Sequence, residues 1–335
     1  MLRFSLHAAL AVATGLLPTS IVHAQVQKRT IKFATQNPNG HPVVLGLEKF
    51  AELVSAKSGG KINVKLFPGG VLGGDAPNVS ALQGGTLEMV ALNAGILASQ
   101  QKEFAVFDFP FLFASASEAD AALDGPFGSM MLEKLDAKDI HGLGFWDLGF
   151  RCMTNSKRPI NKVEDIAGLK LRVIPNAINV DWVTALGANP TPMAFPEVYA
   201  ALEQKAIDGQ ENPFTVIYAN KFHEVQKYLA VTNHQYNPQA LIVSRKLWDS
   251  LSHDEKKIFQ DAATEAIKYE RGVSREQAGL ALENLKKAGM QVTQFSAAEL
   301  LKFRAKVKPV IDKHTAIVGQ ETVDALRAAL AKQHK

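Results

Sequence analysis

Apolar and polar residues follow two different periods along the first part of the chain. A period of two predicts strands at residues 30–35, 62–66 and 87–92, and a period near 3.6 predicts helices at 42–57 and 75–83. The strands and helices alternate along the sequence, which is typical of an α/β domain with a largely parallel sheet. Ligands of such sheets bind beyond the carboxyl ends of the strands.

The same pattern restarts in the second half of the chain. A helical stretch at 117–135, interrupted by Gly125-Pro126, leads to a strand at 142–148 that ends at 149–151. We predict further strands at 170–174, 241–244 and 290–295, a helix at 196–206, and two helices at the end of the chain. The restart predicts a second α/β unit, joined to the first by ordinary strands because no long polar linker is present.

One predicted helix is much longer than the others. It spans residues 253–288, begins at a capping box formed by Ser252 and Glu255, and ends before Gly289. At 1.5 Å per residue it would be roughly 50 Å long. One small α/β unit does not need such a helix, so we expect it to lie across both units.

The N-terminal segment 1–24 is predicted to be a cleaved secretory signal. Arg3 is followed by an apolar run at 8–17, and Val22-His23-Ala24 has the small-x-small pattern of a cleavage site. A short membrane anchor is the alternative, but the run is shorter than the ~20 residues that a spanning helix needs. We therefore expect an exported, periplasmic protein without membrane insertion.

Composition excludes several classes of function. The formal net charge of +4 argues against a nucleic-acid partner, which requires a basic face. The single cysteine, Cys152, excludes an internal disulfide and a multi-cysteine metal site, and we expect it to be buried and inert. We predict no cofactor and no metal. The aromatic run at 104–113 is expected to pack in the core.

Several polar residues are candidates for a ligand site, although each has a plainer explanation. Gln36, Asn37 and Asn93 follow predicted strands, where polar residues also occur simply because turns are solvated. On the strand at 170–174, alternation places Lys170 and Arg172 on one face, and this pattern alone favours a solvated surface.

A set of segments spread over the chain resembles one known family. These segments are FPGGVLGGD (67–75), FDFPFLF (107–113), GFR (149–151), NSKRPI (155–160), EDIAGLKLRV (164–173), LGANPTPMAFPEVYAAL (186–202), IDGQENP (207–213), HEVQKYL (223–229) and TNH (232–234). Together they resemble the DctP-type solute-binding subunits of tripartite ATP-independent periplasmic (TRAP) transporters. The resemblance covers essentially the whole chain after the signal segment.

The resemblance implies a two-lobe periplasmic binding protein fold with strand hinges and a long helix spanning both lobes. Lobe I is expected to comprise residues 25–148 and 238–277, and lobe II residues 149–237 and 278–335. In the family, the arginine of the LRV segment forms a bidentate salt bridge with the ligand carboxylate, which assigns that role to Arg172. The other residues to which the resemblance gives ligand contacts are Asn212, Arg151, Phe195, Gln36, His41 and Asn93.

The chemistry of Arg172 agrees with this role. A guanidinium offers two parallel donors that match both oxygens of a carboxylate. A hydrogen bond to a charged group contributes about 1.5–3 kcal/mol. The resemblance therefore implies a receptor that captures a small organic acid by lobe closure and delivers it to the small and large TRAP membrane subunits.

Two questions stay open at this point. The favoured ligand is a sugar acid such as a uronate, because segment 175–179 resembles that of sugar-acid receptors, while Asn93 stands where sialic-acid receptors have an acidic residue. A C4-dicarboxylate is the alternative. The rival classes are a secreted enzyme acting on a carboxylate substrate and a sensory ligand-binding module. The HExxH, GxSxG and CxxC motifs that would support the enzyme are missing.

Overall fold

The computed structural model describes residues 26–331, so the predicted signal segment 1–24 lies outside the described residues. The strands are β1 (Arg29–Ala34), β2 (Ile62–Phe67), β3 (Met89–Asn93), β4 (Ile140–Asn155), β5 (Lys170–Val173), β6 (Asn189–Pro192), β7 (Gly209–Asn212), β8 (Tyr228–Ser244) and β9 (Gln291–Gln294). The α-helices are α1 (Pro42–Lys57), α2 (Asp75–Gln83), α3 (Ala116–Leu123), α4 (Pro126–Glu133), α5 (Ala177–Ala185), α6 (Val198–Glu203), α7 (Phe214–Ala219), α8 (Arg245–Ser250), α9 (His253–Lys287), α10 (Ala297–Val318) and α11 (Gln320–Ala331).

The strands form one sheet that contains two parallel sets. The order is β2-β1-β3-β8-β4-β7-β5-β6, with β9 beside β8. The first set is β1 with β2 and β3, and the second set is β5 with β6 and β7. The antiparallel strands β4 and β8 lie between them. The sequence pattern thus predicted the three strands of the first parallel set and β5 of the second, whereas β6 and β7 were not predicted.

Strands β4 and β8 carry the chain from one set to the other. They pair along their length, from Ile140 opposite Ser244 to Asn155 opposite Tyr228. The prediction that the first of them ends at 149–151 is wrong. Gly149, with φ of +108°, allows a register shift inside a continuous strand, because a bulge bends a strand without ending it. The segment of β8 before residue 241 was not predicted as a strand.

Helix α9 spans both halves of the molecule, as predicted. Its capping box is formed, since Ser252 and Glu255 each accept a hydrogen bond from the other's backbone N–H. Phe259, near its start, packs in a core cluster with β1 and α1. Leu285, near its end, packs in a different cluster with α6 and α7.

The middle of α9 holds β4 where this strand crosses between the two sets. Here β4 has a strand partner on one side only. Side chains of α9 satisfy the free edge: Arg271 Nη2 donates to the Phe145 carbonyl (2.9 Å), Ser274 Oγ donates to the Asp147 carbonyl (2.8 Å), and Glu270 Oε2 accepts from the Asp147 N–H (2.9 Å). A covered edge is protected from pairing with other chains.

Other sequence predictions are confirmed or refined. The stretch at 117–135 is divided into α3 and α4 at the predicted break, and the helix predicted at 196–206 consists of a 3₁₀ turn (Phe195–Glu197) followed by α6. Phe104, Phe107 and Phe113 of the aromatic run are buried in the core. Cys152 is buried, and burial raises the pKa of its thiol to about 12.

The expected α/β fold of two lobes with strand crossings and a spanning helix is confirmed. The exact lobe boundaries stay a prediction. Helix α10 packs on α5, whereas α11 packs on α3 and α4, so the C-terminal segment contacts both lobes.

We predict that Gly95→Ala destabilises the fold. A Cβ at Gly95 would lie 1.9 Å from Asp108 Oδ2, and Asp108 is fixed because Gln235 and Asn237 donate to its carboxylate. Overpacking of this kind costs about 1–3 kcal/mol, measured as a lower free energy of unfolding in denaturant titrations. The matched control is Gly279→Ala on exposed α9, where a Cβ meets nothing within 4 Å. Equal stability of the two variants would contradict the packing described here.

Candidate ligand-binding site

A cavity of about 280 Å³ lies between the two lobes. This volume is close to the lower end of the range for small-molecule sites, roughly 300–1,000 Å³. The cavity lies beyond the carboxyl ends of the parallel strands, as expected for this class of sheet. Six of the seven predicted site residues line it: Gln36, Asn93, Arg151, Arg172, Phe195 and Asn212.

Arg172 on β5 is buried in the wall of this cavity, with only 2% of its surface exposed. Its Nε donates to the Met193 carbonyl (2.9 Å), and its guanidinium lies 5.8 Å from the centre of the Phe195 ring. Among residues 26–331, none places a carboxylate within salt-bridge distance of it. Burial, assisted by the charge of Arg151, lowers the pKa of Arg172 to about 10. The group is therefore still cationic at neutral pH.

Strand alternation suggested a solvated face for Arg172, and that interpretation is wrong. The face of β5 that carries Arg172 is turned to the cavity between the lobes, since Ile174, two residues further along, lines the same cavity. A strand pattern distinguishes the two faces of a sheet, but it does not tell whether the polar face meets bulk water or a closed cleft.

Arg151 on β4 is equally buried, at 1% exposure, but its charge is paired within the protein. Its Nη2 donates to Glu211 Oε1 (2.7 Å), its Nε donates to Oε2 of the same carboxylate, and its Nη1 donates to Asn237 Oδ1 (2.8 Å). His234 Nε2 lies 3.3 Å from Glu211 Oε2. Burial alone would raise the pKa of Glu211, but the charge of Arg151 lowers it to about 2. A direct ligand contact by Arg151 stays a prediction.

The cavity thus contains two guanidinium groups in different electrostatic states. Arg151 is held by a bidentate bridge to Glu211, whereas the two Nη groups of Arg172 have no carboxylate partner among the described residues. Bidentate pairs of this kind are the strongest hydrogen-bonded ion pairs in proteins.

The remaining predicted residues lie around Arg172 on both lobes. Asn212 ends β7, and its Nδ2 donates to Gln210 Oε1 (2.6 Å). Asn93 ends β3, its Oδ1 accepts from Gly95 N–H (3.0 Å), and its Nδ2 is buried without a partner in the described chain. These amides supply both donors and acceptors to a bound molecule.

His41 is not among the residues that line this cavity, and its contact with a ligand stays a prediction. It is the N-cap of α1, where its Nδ1 accepts from the Val43 N–H (3.2 Å). Complete burial lowers the pKa of His41 to about 3, which makes the ring neutral. A helix N-terminus needs an acceptor at this position, and His41 supplies it.

Asp75 is a cavity residue that the sequence analysis missed. It begins α2, is 6% exposed, and its Oδ2 accepts from Gln36 Nε2 (3.1 Å) and from the Asn93 N–H (3.3 Å). Its Oδ1 is buried without a hydrogen-bond partner in the described chain. Burial raises the pKa of Asp75 to about 7, although the Asn93 N–H and the charge of Arg172 act to lower it. The sequence did contain a signal for Asp75, because it is an acidic residue that directly follows a glycine-rich loop at the end of a strand.

Glu197, Asn237 and Gln239 also line the cavity and were missed. Asn237 and Gln239 lie on β8, in the part of that strand that was not predicted. Their spacing of two residues along a strand was the signal, because such residues share one face.

No helix among residues 26–331 is both long and apolar enough to cross a membrane. No group of three or more His, Cys, Asp or Glu side chains there is arranged to hold a metal ion.

Comparison with known proteins places the chain in a family. The model of the DctP family, described as bacterial extracellular solute-binding protein, family 7, matches residues 33–316. The C4-dicarboxylate-binding periplasmic protein DctP of Rhodobacter capsulatus is 35% identical over 99% of this chain and 100% of its own length.

Two solved structures are similar in sequence and in shape. A TRAP periplasmic solute-binding protein from Ochrobactrum anthropi, whose C-terminus is bound in its ligand-binding pocket, is 53% identical with a TM-score of 0.83, covering 92% of this chain and 97% of the other. A sugar-acid-binding protein from Advenella mimigardefordensis, in complex with galactonate, is 41% identical with a TM-score of 0.90. The match covers 92% of this chain and 99% of the other.

These findings agree with one another over nearly the whole described chain. Proteins of this group are periplasmic solute receptors and not enzymes, which removes the enzyme alternative. The chain belongs to the DctP family of bacterial extracellular solute-binding proteins, the receptors of TRAP transporters.

Proposed function

We propose that this protein is an exported receptor that binds a hydroxylated sugar acid between its lobes and delivers it to TRAP membrane subunits. The observation that carries the proposal is the buried Arg172 guanidinium, which has no carboxylate partner among the described residues and lines a cavity rich in amides. The predicted signal segment 1–24 would direct the chain to the periplasm.

A buried, unpaired cation is costly to maintain unless something compensates it. Moving a charge out of water without a partner carries a penalty of several kcal/mol. The Arg172 Nε is used by the Met193 carbonyl, so the two Nη groups are left to donate in parallel. A ligand carboxylate fits these two donors and neutralises the charge.

The related structures support a carboxylate ligand. The Advenella protein holds galactonate, a hydroxylated monocarboxylate, and the Ochrobactrum protein has a C-terminus bound in its ligand-binding pocket. The Rhodobacter relative is named for C4-dicarboxylates, so similarity alone does not select the acid. The amide-rich lining supports a hydroxylated one, because amides hydrogen-bond to hydroxyl groups as donors and acceptors.

The positions of the site residues suit a receptor that closes around its ligand. Gln36 lies just past β1 and Asn93 ends β3, both strands of the first parallel set, whereas Arg172 and Asn212 belong to the second. A ligand that contacts both groups stabilises the closed form over the open one, which shifts the population to the closed form. We propose that the membrane subunits recognise this closed form.

We predict that Arg172→Ala weakens the binding of D-galactonate by at least about tenfold, since a charged hydrogen bond contributes roughly 1.5–3 kcal/mol. Isothermal titration calorimetry measures the affinity directly. Arg327→Ala removes an exposed positive charge from α11, where the side chain is 65% exposed, and serves as the control. Wild-type affinity in Arg172→Ala would rule out the proposed anchor.

The two arginines should differ in their effect on stability. Arg151→Met leaves Glu211 buried without its cation, and removing one partner of a buried pair costs about 3–5 kcal/mol. Arg172→Met removes a buried charge that has no such partner, so we expect the ligand-free variant to be at least as stable as the wild type. Thermal unfolding in the absence of ligand measures the stability of both variants. A large loss of stability in Arg172→Met would show that the protein itself compensates this charge.

A further inference from the structure

We infer that the protein has a second binding site, for a neutral polyol or sugar, in another cavity beside helix α7. This second cavity has a volume of about 380 Å³, which falls in the range of small-molecule sites, roughly 300–1,000 Å³. It shares no lining residue with the cavity that contains Arg172. The inference goes beyond the proposed function, because it assigns a different ligand to a different part of the fold.

Three parts of the chain form the second cavity. Residues 39–42 connect β1 to the start of α1, α7 follows β7, and α9 lies across both lobes. The first part thus belongs to the first parallel set and the second part to the second set, so a molecule in this cavity contacts both lobes. The polar residues of the lining are Asn39, His41, Thr215, Tyr218, Gln277 and Asn284.

His41 and Thr215 each have a buried polar atom without a partner in the described chain. His41 is 0% exposed and neutral, and its Nδ1 accepts from the Val43 N–H. A neutral imidazole with an accepting Nδ1 carries its hydrogen on Nε2, and this Nε2 has no acceptor from residues 26–331. Thr215 is 4% exposed, and its Oγ1 is likewise unpartnered. Such groups are unfavourable when left unpaired, and ligand hydroxyls can donate to the one and accept from the other.

The lining favours a neutral ligand that is rich in hydroxyl groups. None of the described residues that line the second cavity carries a charge, since His41 is neutral. An ion would lose its hydration there without gaining a counter-charge. Three amide side chains of the lining supply donors and acceptors for hydroxyl groups. The exposed ring of Tyr218 adds an apolar surface for the C–H groups of a sugar.

Helix α7 connects the second cavity to the cavity of Arg172. It begins at Phe214, just past Asn212, and its residue Val216 lines the first cavity while Thr215 lines the second. Both cavities take their walls from both lobes, so a molecule in either one stabilises the lobe arrangement that provides these walls. On the proposed function, galactonate and the neutral ligand should therefore strengthen each other's binding, and by the same factor.

Galactitol is the probe for the second site, because it is the neutral counterpart of galactonate, with an alcohol in place of the carboxylate. Saturation-transfer NMR titrations measure its affinity for the protein saturated with D-galactonate. We expect binding at millimolar concentration, and roughly two- to tenfold weaker binding in Thr215→Val and in His41→Asn. Asparagine keeps an acceptor at the N-cap of α1. Thr184→Val, at an exposed threonine of α5, is the control. No binding to the galactonate-saturated protein, or equal affinity in the wild type and both variants, would overturn the second site.

Isothermal titration calorimetry tests the coupling between the two cavities. Saturating galactitol should lower the dissociation constant of galactonate about fivefold in the wild type, and less in Thr215→Val at the same galactitol concentration. An unchanged or higher dissociation constant in the wild type would overturn the coupling.

The variant Arg172→Ala separates the second site from the proposed function. It should lose affinity for galactonate and bind galactitol as the ligand-free wild type does. Wild-type affinity for galactonate in this variant contradicts the proposed function alone, and a loss of galactitol binding contradicts the second site alone.

Discussion

A charge that is removed from water needs a partner. Of the two buried arginines that line the cavity, one has a carboxylate partner among the described residues and the other does not. Arg151 is held by the Glu211 carboxylate in a bidentate bridge. Arg172, buried to a similar degree, has a backbone carbonyl on its Nε and no carboxylate among the described residues. We propose that the two arginines therefore differ in role: Arg151 stabilises the wall of the site, and Arg172 is available to an anionic ligand.

The fold brings these groups together through its longest elements. Strands β4 and β8 and helix α9 are shared by both lobes, and Arg151 lies on β4 just past the register shift at Gly149. Arg172 comes from the second parallel set, and Asp75 follows the first set at the start of α2. A site assembled from both lobes around shared strands suits a receptor in which ligand contacts and lobe closure depend on each other.

Much of the fold was predictable, because local periodicity determines most of its elements. The strands of the first parallel set, β5 and α9 were found from their periods and caps, whereas the four-residue strands β6 and β7 were not predicted. The length of β4 was not predicted, since Gly149 with its positive φ looks like a turn in the sequence and acts as a bulge in the sheet. The part of β8 before residue 241 was not predicted either.

The site was predictable only in part, and for a different reason. Arg172 was found through matched segments and not through its strand pattern, because alternation cannot separate bulk solvent from a closed cleft. Asp75 was missed, since its role depends on how Gln36 and Asn93 meet it in space. His41 lies outside the cavity lining and caps α1, because a residue between a strand and a helix can accept from the first N–H groups of that helix.

The most direct test of the account is a crystal structure of the protein with D-galactonate. We predict that both carboxylate oxygens of the ligand accept from the Nη groups of Arg172, while Arg151 keeps its bridge to Glu211. A carboxylate bound to Arg151 with Glu211 displaced, or a ligand with its carboxylate away from both arginines, would contradict the account.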